Sequence, residues 1–207
     1  MWISIVIGML TGYLLGNLNG AVCISALQHD DVRSHGSGNA GLTNFIRNYG
    51  VGRAIYVILI DAGKAVLSCA CAGLLLQPFG CYRLGTALGG LAVMLGHVFP
   101  ALLGFRGGKG ILSGLFVALM VDWRIGLIIL AVFAFAYLLT QYVSLGSVLA
   151  AAAYSVCFGL FHFGDWAVML SGIFMGLLAI WKHKDNIVRL CKGTERKTNL
   201  FRKGNDQ

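Results

Sequence analysis

Apolar runs of roughly 16–25 residues, separated by short polar stretches, recur along nearly the whole chain. At 1.5 Å per helical residue that is about the length needed to cross the ~30 Å hydrocarbon core of a bilayer. The first run, residues 2–27, is interrupted by Gly16-Asn17-Leu18-Asn19-Gly20. Two asparagines among glycines inside a span predict polar contacts within a helical bundle, or an early helix end near Asn17. A polar segment, 28–52, follows; its Gly, Ser and Asn density marks a loop, with a short helix starting at Thr43-Asn44 and ending near Tyr49-Gly50.

Further apolar runs cover 51–76, 84–103, 111–121, 125–140, 145–161 and 166–181, and a polar tail occupies 182–207. The run 111–121 is short, roughly 17 Å of helix, so either the glycine-rich stretch before it dips into the membrane or Asp122-Trp123-Arg124 sits deep. Residues 111–140 also read as one long tilted helix. Charge placement decides between the two. With seven spans, Arg33, Arg47, Arg53, Arg106, Lys109 and the eight basic residues of the tail share one side, against Arg83 and Arg124 on the other. With six spans the tail would move to the outer side, against the positive-inside rule. The expectation is an all-α, polytopic protein of about seven transmembrane helices, N-terminus outside and C-terminus cytoplasmic, forming one membrane-embedded domain over 1–207 with a short cytoplasmic tail from about residue 182.

Composition strengthens this picture. Of 207 residues 57% are hydrophobic and 12% charged, too little polar surface for a soluble domain of this length. The net charge of +8 then reads as a topology signal rather than a nucleic-acid signature. No basic segment precedes the first run, so it reads as a retained span rather than a cleaved leader. The six cysteines form no Cys-x-x-Cys and are scattered through spans, as small apolar filler.

Three polar motifs fall on the predicted cytoplasmic side. Gly36-Ser37-Gly38-Asn39-Ala40-Gly41-Leu42-Thr43-Asn44, with Arg47 beyond it, reads as a glycine-rich turn or as a nucleophile site, though no partner stands at a spacing that argues for a Ser-His-Asp triad. Gly96-His97-Val98-Phe99-Pro100 leads into Arg106-Gly107-Gly108-Lys109-Gly110, where backbone N–H groups and two cations suit an anion. The alternative is a plain basic turn at the membrane surface, since the spacing is not that of a nucleotide P-loop. His97 is a candidate ligand or an interfacial histidine. In the third motif, His183, Asn186 and Arg189 are three apart and share a helical face, either as a site or as a basic helix meeting anionic lipid headgroups. Asp61 and Lys64, also three apart, fall near mid-membrane on one face and can neutralise each other. His29 and His35 flank Asp30 and Asp31 without a compact metal-ligand spacing, and no metal site is expected.

Taken together, these motifs, ending in Asn186-Ile187-x-Arg189-Leu190 and Gly193-Thr194-Glu195, resemble the signature of the membrane-integral bacterial acyl-phosphate:glycerol-3-phosphate acyltransferase family in order, spacing and sidedness. The resemblance implies transfer of a fatty acyl group from acyl phosphate to the 1-hydroxyl of sn-glycerol-3-phosphate, giving lysophosphatidic acid, the first acylation of phospholipid synthesis. It implies a cytoplasmic (inner) membrane location with the site at the cytoplasmic face, a functional link to an acyl-phosphate-forming enzyme, no cofactor and no nucleic-acid partner. Residue by residue, it implies functional roles for Ser37 and Arg47, a glycerol-phosphate site at Gly107, Gly108, Lys109 and Gly110, activity-critical positions at His183 and Asn186, and a structurally required acid at Glu195. Gly38, Asn39, Thr43, Asn44, His97 and the Asp61-x-x-Lys64 pair are carried along as candidate substrate-binding residues. The chain departs from the family at Ala40, where Pro is usual, at Gly16-Asn17-Leu18-Asn19, where Gly-Ser-x-Pro is usual, and at Ile111-Leu112-Ser113, where a small-residue run ending in Thr is usual. The competing class is a membrane transporter or binding protein for an organic phosphate, built on the same basic loops.

The donor can be argued further. Glycerolipid acyltransferases with a His-x4-Asp motif activate the acceptor hydroxyl through that histidine, but here the residues five beyond each histidine are Ser34, Ala40, Leu102, Ala167 and Val188. Lacking a dedicated base of that kind, the reaction is expected to rely on a donor that carries its own proton acceptor, as an acyl phosphate does and a thioester does not.

Overall fold

The computed structural model describes residues 1–198, and among them every regular element is helical. Arg202 and Lys203 of the predicted basic tail lie outside the described residues. The chain runs through α1 (Trp2–Gly16), α2 (Gly20–Ala26), α3 (Leu42–Tyr49), α4 (Ala54–Leu76), α5 (Tyr82–Val98), α6 (Ile111–Val121), α7 (Trp123–Thr140), α8 (Val143–Phe161), α9 (Trp166–Lys182) and α10 (Lys184–Cys191). Helices α4, α5, α7 and α8 are each long and apolar enough to cross a membrane, and α1–α2 and α9–α10 qualify as pairs bent by 43° and 55°. With α6, an apolar helix of 11 residues, these account for the seven apolar stretches. The protein is an all-helical, multi-pass membrane protein.

The breaks follow local chemistry. Helix α1 stops at Asn17, whose side-chain N–H donates back to the Tyr13 carbonyl (2.7 Å) while its Oδ1 accepts from the Leu102 amide (3.0 Å). Asn19, extended, then caps α2 by accepting from the Val22 amide at 3.1 Å. Residues 111–140 form two helices rather than one because Asp122 is extended (φ −154°, ψ 106°) and caps α7 through the Arg124 amide. Its carboxylate also meets the Arg124 guanidinium at 2.7 Å.

In lipid, burying a side chain between helices removes it from a medium as apolar as itself, so close approach counts for more than hydrophobic area. Helices α1, α4 and α5 accordingly meet through small residues. A methyl group on Gly16 or Gly96 would collide with the backbone of the facing helix, at the Val93 and Tyr13 carbonyls respectively. The larger core, built from Val93, Met94, Val117, Ile125, Tyr154, Phe158 and Met175, joins α5 and α6 to α7, α8 and α9. A smaller cluster of Ala21, Val32, Phe45, Ala54 and Val57 seats α3 and the first loop on α2 and α4.

Contacts between distant loops sort the helix ends into two sets. Asp122 lies 3.5 Å from His162, and Arg124 stacks 5.1 Å above the Phe161 ring, so the α6–α7 and α8–α9 connections share one end. At the other end Arg33 donates to the Leu103 carbonyl (3.2 Å), Lys109 to Asn186 and Arg47 to Thr198, bringing the three polar motifs together. The charge split expected from sequence puts the polar motifs on the cytoplasmic side; it predicts that single cysteines placed at Tyr82 and Gly164 in a cysteine-free background react with an impermeant thiol reagent added to intact cells, and that one at Ser34 does not. External labelling at Ser34 would invert the orientation.

Candidate active site

A buried ionic cluster underlies the site. Lys64 Nζ donates to Asp61 Oδ1 at 2.7 Å, to the Leu18 carbonyl at 2.5 Å and to His97 Nδ1 at 2.8 Å. Asp61 also accepts from the Gly20 amide (3.2 Å), and its backbone carbonyl accepts from Ser113 Oγ (3.2 Å). All three ionisable side chains are nearly inaccessible, at 2–5% exposure. The i,i+3 spacing on α4 thus produces the neutralising pair expected from sequence, and the break between α1 and α2 supplies the backbone groups that satisfy it. Because Lys64 donates to Nδ1, His97 carries its proton on Nε2.

That ring abuts the glycine hinge. A methyl group at Gly108 would collide with His97 Nε2 and lie 2.7 Å from the Ala40 carbonyl, and the Gly108 amide donates to the His97 carbonyl at 3.1 Å. Gly110, at φ 80°, turns the chain into α6 in a conformation that favours glycine. Lys109, between them, is half-buried and reaches Asn186 Oδ1. Asn186 in turn donates to Glu195 Oε1 (3.0 Å), and Glu195 Oε2 accepts from Arg189 Nε (2.7 Å). One face of α10 therefore presents Asn186 and Arg189, as their spacing predicts.

His183 caps the junction of α9 and α10, with Nδ1 donating to the Ala179 carbonyl at 2.7 Å, which leaves Nε2 as an acceptor. Burial pushes the Lys109 ammonium down to about 8, with the Arg189 guanidinium adding repulsion. In the first motif Asn44 organises the turn, donating to the Val32 and His35 carbonyls and accepting from the Ser37 amide (3.0 Å), while Ser37 itself is exposed. Arg47 on α3 points to the C-terminal segment, where Nε donates to Thr198 Oγ1 at 2.9 Å and Nη2 to the Arg196 carbonyl at 3.1 Å.

These groups surround one cavity of about 330 Å3. Ser37, Asn39, Thr43, Asn44, Arg47, Asp61, His97, Lys109, Gly110, His183, Asn186 and Glu195 all line it. Gly38, Lys64, Gly107 and Gly108 do not; Lys64 stands behind Asp61, and Gly107 and Gly108 pack on the end of α5. The cavity continues into an apolar arm between α6, α7, α8 and α9, walled by Leu112, Leu115, Ile129, Phe133, Ala150, Tyr154 and Met175. Sequence reasoning did not identify this wall, because its residues look like any span interior, nor Thr198 and Tyr137, which lie outside the motifs. Among the described residues no three His, Cys, Asp or Glu side chains converge on a point that would hold a metal ion.

Comparisons with known proteins agree on a family. The profile described as glycerol-3-phosphate acyltransferase matches residues 6–193. Proteins named glycerol-3-phosphate acyltransferase from Synechococcus sp. (strain CC9902) and Finegoldia magna are 39% and 40% identical to the chain, over 94% and 89% of it and 96% and 91% of their own lengths. The crystal structure of PlsY (YgiH), an integral membrane glycerol 3-phosphate acyltransferase, in its glycerol 3-phosphate form superposes with a TM-score of 0.86 at 31% identity, covering 96% of this chain and all of that one. Its lysophosphatidic acid form gives a TM-score of 0.82 over 95% of this chain and 96% of that one.

The buried pair yields a stability test. Lys64→Met, which strands the Asp61 carboxylate, should cost about 3–5 kcal/mol, whereas Asp61→Leu combined with Lys64→Met should recover part of that loss. Thermal unfolding in detergent would measure both, and a double variant less stable than Lys64→Met would contradict the pairing.

Proposed function

The chain belongs to the glycerol-3-phosphate acyltransferase family, and we propose that it transfers a fatty acyl group from acyl phosphate to the 1-hydroxyl of sn-glycerol-3-phosphate, giving lysophosphatidic acid and phosphate. The reaction would run at the cytoplasmic face of the bacterial cytoplasmic membrane, within a single membrane-embedded domain, and would draw on an enzyme that forms acyl phosphates. One observation carries the reading: a chamber holding Lys109, Arg47, His183 and Asn186 is continuous with an apolar arm inside the helix bundle. A phosphorylated acceptor and an acyl chain bearing a phosphate both match that division.

In the proposed step the acceptor hydroxyl oxygen attacks the acyl carbonyl carbon, the carbon–oxygen bond to phosphate breaks, and phosphate leaves with the electron pair. The hydroxyl proton passes to an oxygen of the departing phosphate. With Nδ1 committed to the Ala179 carbonyl, His183 is placed to orient the hydroxyl, and the route does not require it to take the proton. Its free Nε2 can still accept a hydrogen bond from the hydroxyl and orient it. Lys109 and Arg47 hold phosphate, and Ser37 and Asn39 beside them orient the acyl carbonyl, so catalysis rests mainly on positioning and charge stabilisation.

Two measurements follow. Purified protein given palmitoyl phosphate with labelled glycerol-3-phosphate should form lysophosphatidate, and palmitoyl-CoA or palmitoyl-carrier protein should not replace the donor. Comparable product from either thioester would refute the donor assignment, and counterflow without ester product would point to a transporter.

The second concerns pH. Lys109 is depressed from the usual lysine value to about 8, so its cation is present below that pH and lost above it, while a bound phosphate would hold the proton on. The KM for glycerol-3-phosphate should therefore rise above pH 8, by up to about tenfold per unit. Lys109→Arg should flatten the rise, because its guanidinium stays charged; an equal rise in that variant would move the titration to another group.

A further inference from the structure

Cations near the polar end of the cavity fall into two kinds. Arg33 is paired with Asp31 (2.8 Å) and Arg189 with Glu195 (2.7 Å), and each is neutralised locally. Arg47 differs. Among the described residues it has no carboxylate partner; its Nε and Nη2 donate to Thr198 Oγ1 and its Nη2 also to the Arg196 carbonyl, and no described residue accepts from Nη1. A neutral hydroxyl and a carbonyl fix the plane of a guanidinium without cancelling its charge. A carboxylate in their place would compete with any incoming phosphate.

Thr198 is itself held from both sides of its backbone. Its amide donates to the Gln141 carbonyl at 3.1 Å, and its carbonyl accepts from the Tyr137 hydroxyl at 2.9 Å. Gln141 ends α7 with φ 62°, a left-handed conformation uncommon for a side chain of its size, and this turns the chain where its carbonyl receives the strap. Glu195, three residues earlier, anchors the same segment to Asn186 and Arg189 on α10. Residues 194–198 thus cross from α10 to the end of α7, and the side chain they offer to α3 is the Thr198 hydroxyl.

We propose that Thr198, seated on Tyr137 and Gln141, is a positioning residue that aims the Arg47 guanidinium at the phosphate of a bound substrate. The inference rests on the reading that Arg47 holds such a phosphate, whether that of glycerol-3-phosphate or of the acyl donor. An interaction that orients Arg47 equally in the ground and transition states changes binding rather than turnover.

The test measures KM for each substrate separately, with kcat and thermal stability, in full-length Thr198→Val, Thr198→Ser, Tyr137→Phe and Arg47→Ala. Thr198→Val should raise the KM of one substrate roughly tenfold, in the range expected for a lost hydrogen bond to a charged group, with kcat within about twofold and melting unchanged. Thr198→Ser, which keeps the oxygen, should restore the wild-type KM, and the substrate whose KM moves is the one Arg47 holds. If the valine variant does not accumulate, Tyr137→Phe serves in its place, with a smaller rise for the same substrate. Wild-type KM values in these variants, or a fall in kcat alone, would overturn the positioning role. Arg47→Ala separates the two levels: no change there refutes the phosphate reading, whereas a raised KM in Arg47→Ala beside a normal one in Thr198→Val refutes only the inference. In the Arg47→Ala background, Thr198→Val should add nothing.

Discussion

The structure depends on satisfying a carboxylate and an ammonium inside a helix bundle. Asp61 and Lys64 are stranded in an apolar span, where an unpaired charge would cost several kcal/mol. Their mutual contact at 2.7 Å is not enough, because the ammonium has further donors and the carboxylate further lone pairs. The chain provides for these by breaking its first span. The interruption at Asn17-Leu18-Asn19 frees the Leu18 carbonyl and the Gly20 amide, and both turn onto the pair. His97 completes the set from α5, and Ser113 from α6 ties in through the Asp61 backbone carbonyl rather than through either charge. Four separate elements are thereby fixed relative to one another by groups that have no alternative partner in lipid.

The hinge inherits its place from that cluster. His97 is clamped through Nδ1, so its other edge is a fixed wall, and Gly108 fits against it only because it has no side chain. Lys109, the next residue, is thereby delivered to Asn186. Here too a neutral oxygen receives the cation while the nearby acid, Glu195, is one step removed, bonded to the amide of Asn186. Lys109 and Arg47 are oriented by the same device. The cavity therefore keeps positive charge that local carboxylates have not cancelled, in surroundings whose burial makes that charge effective.

Much of this is legible in the primary structure. Apolar run length locates the membrane helices to within a few residues, as with Ala54–Leu76 against the expected 51–76, and Ile111–Val121 matches its run end to end. The i,i+3 spacings of Asp61 with Lys64 and Asn186 with Arg189 foretell who shares a face. What spacing cannot convey is which loop meets which. The role of Gly108 is an example: a glycine in a cationic turn reads as room for a ligand, and the structure fills that room with an imidazole from the preceding helix and a carbonyl from a loop some seventy residues upstream. Thr198 carries no pattern at all, since a threonine in a polar tail is unremarkable until Arg47 is found beside it. The apolar arm was equally silent, because a ligand-lining leucine and a core leucine are the same residue in the same periodicity.

Two positions read from the sequence as departing from the resembled family pattern, distant along the chain, meet in space. Asn19 Nδ2 donates to the Ala40 carbonyl at 2.9 Å, and both residues are buried. By the resemblance drawn from the sequence, proline, a residue with no side-chain donor, would be usual at both positions. An amide side chain at 19 both caps α2 and reaches the loop, so it can pin the backbone at 40, where alanine has no ring to fix φ. The pin matters because the same Ala40 carbonyl faces Gly108, and the loop it anchors carries Ser37 and Asn39 to the cavity. Rigidity that proline would provide through a covalent ring is provided here by a hydrogen bond to the break in the first span, which ties the first motif to the same interruption that satisfies Asp61 and Lys64.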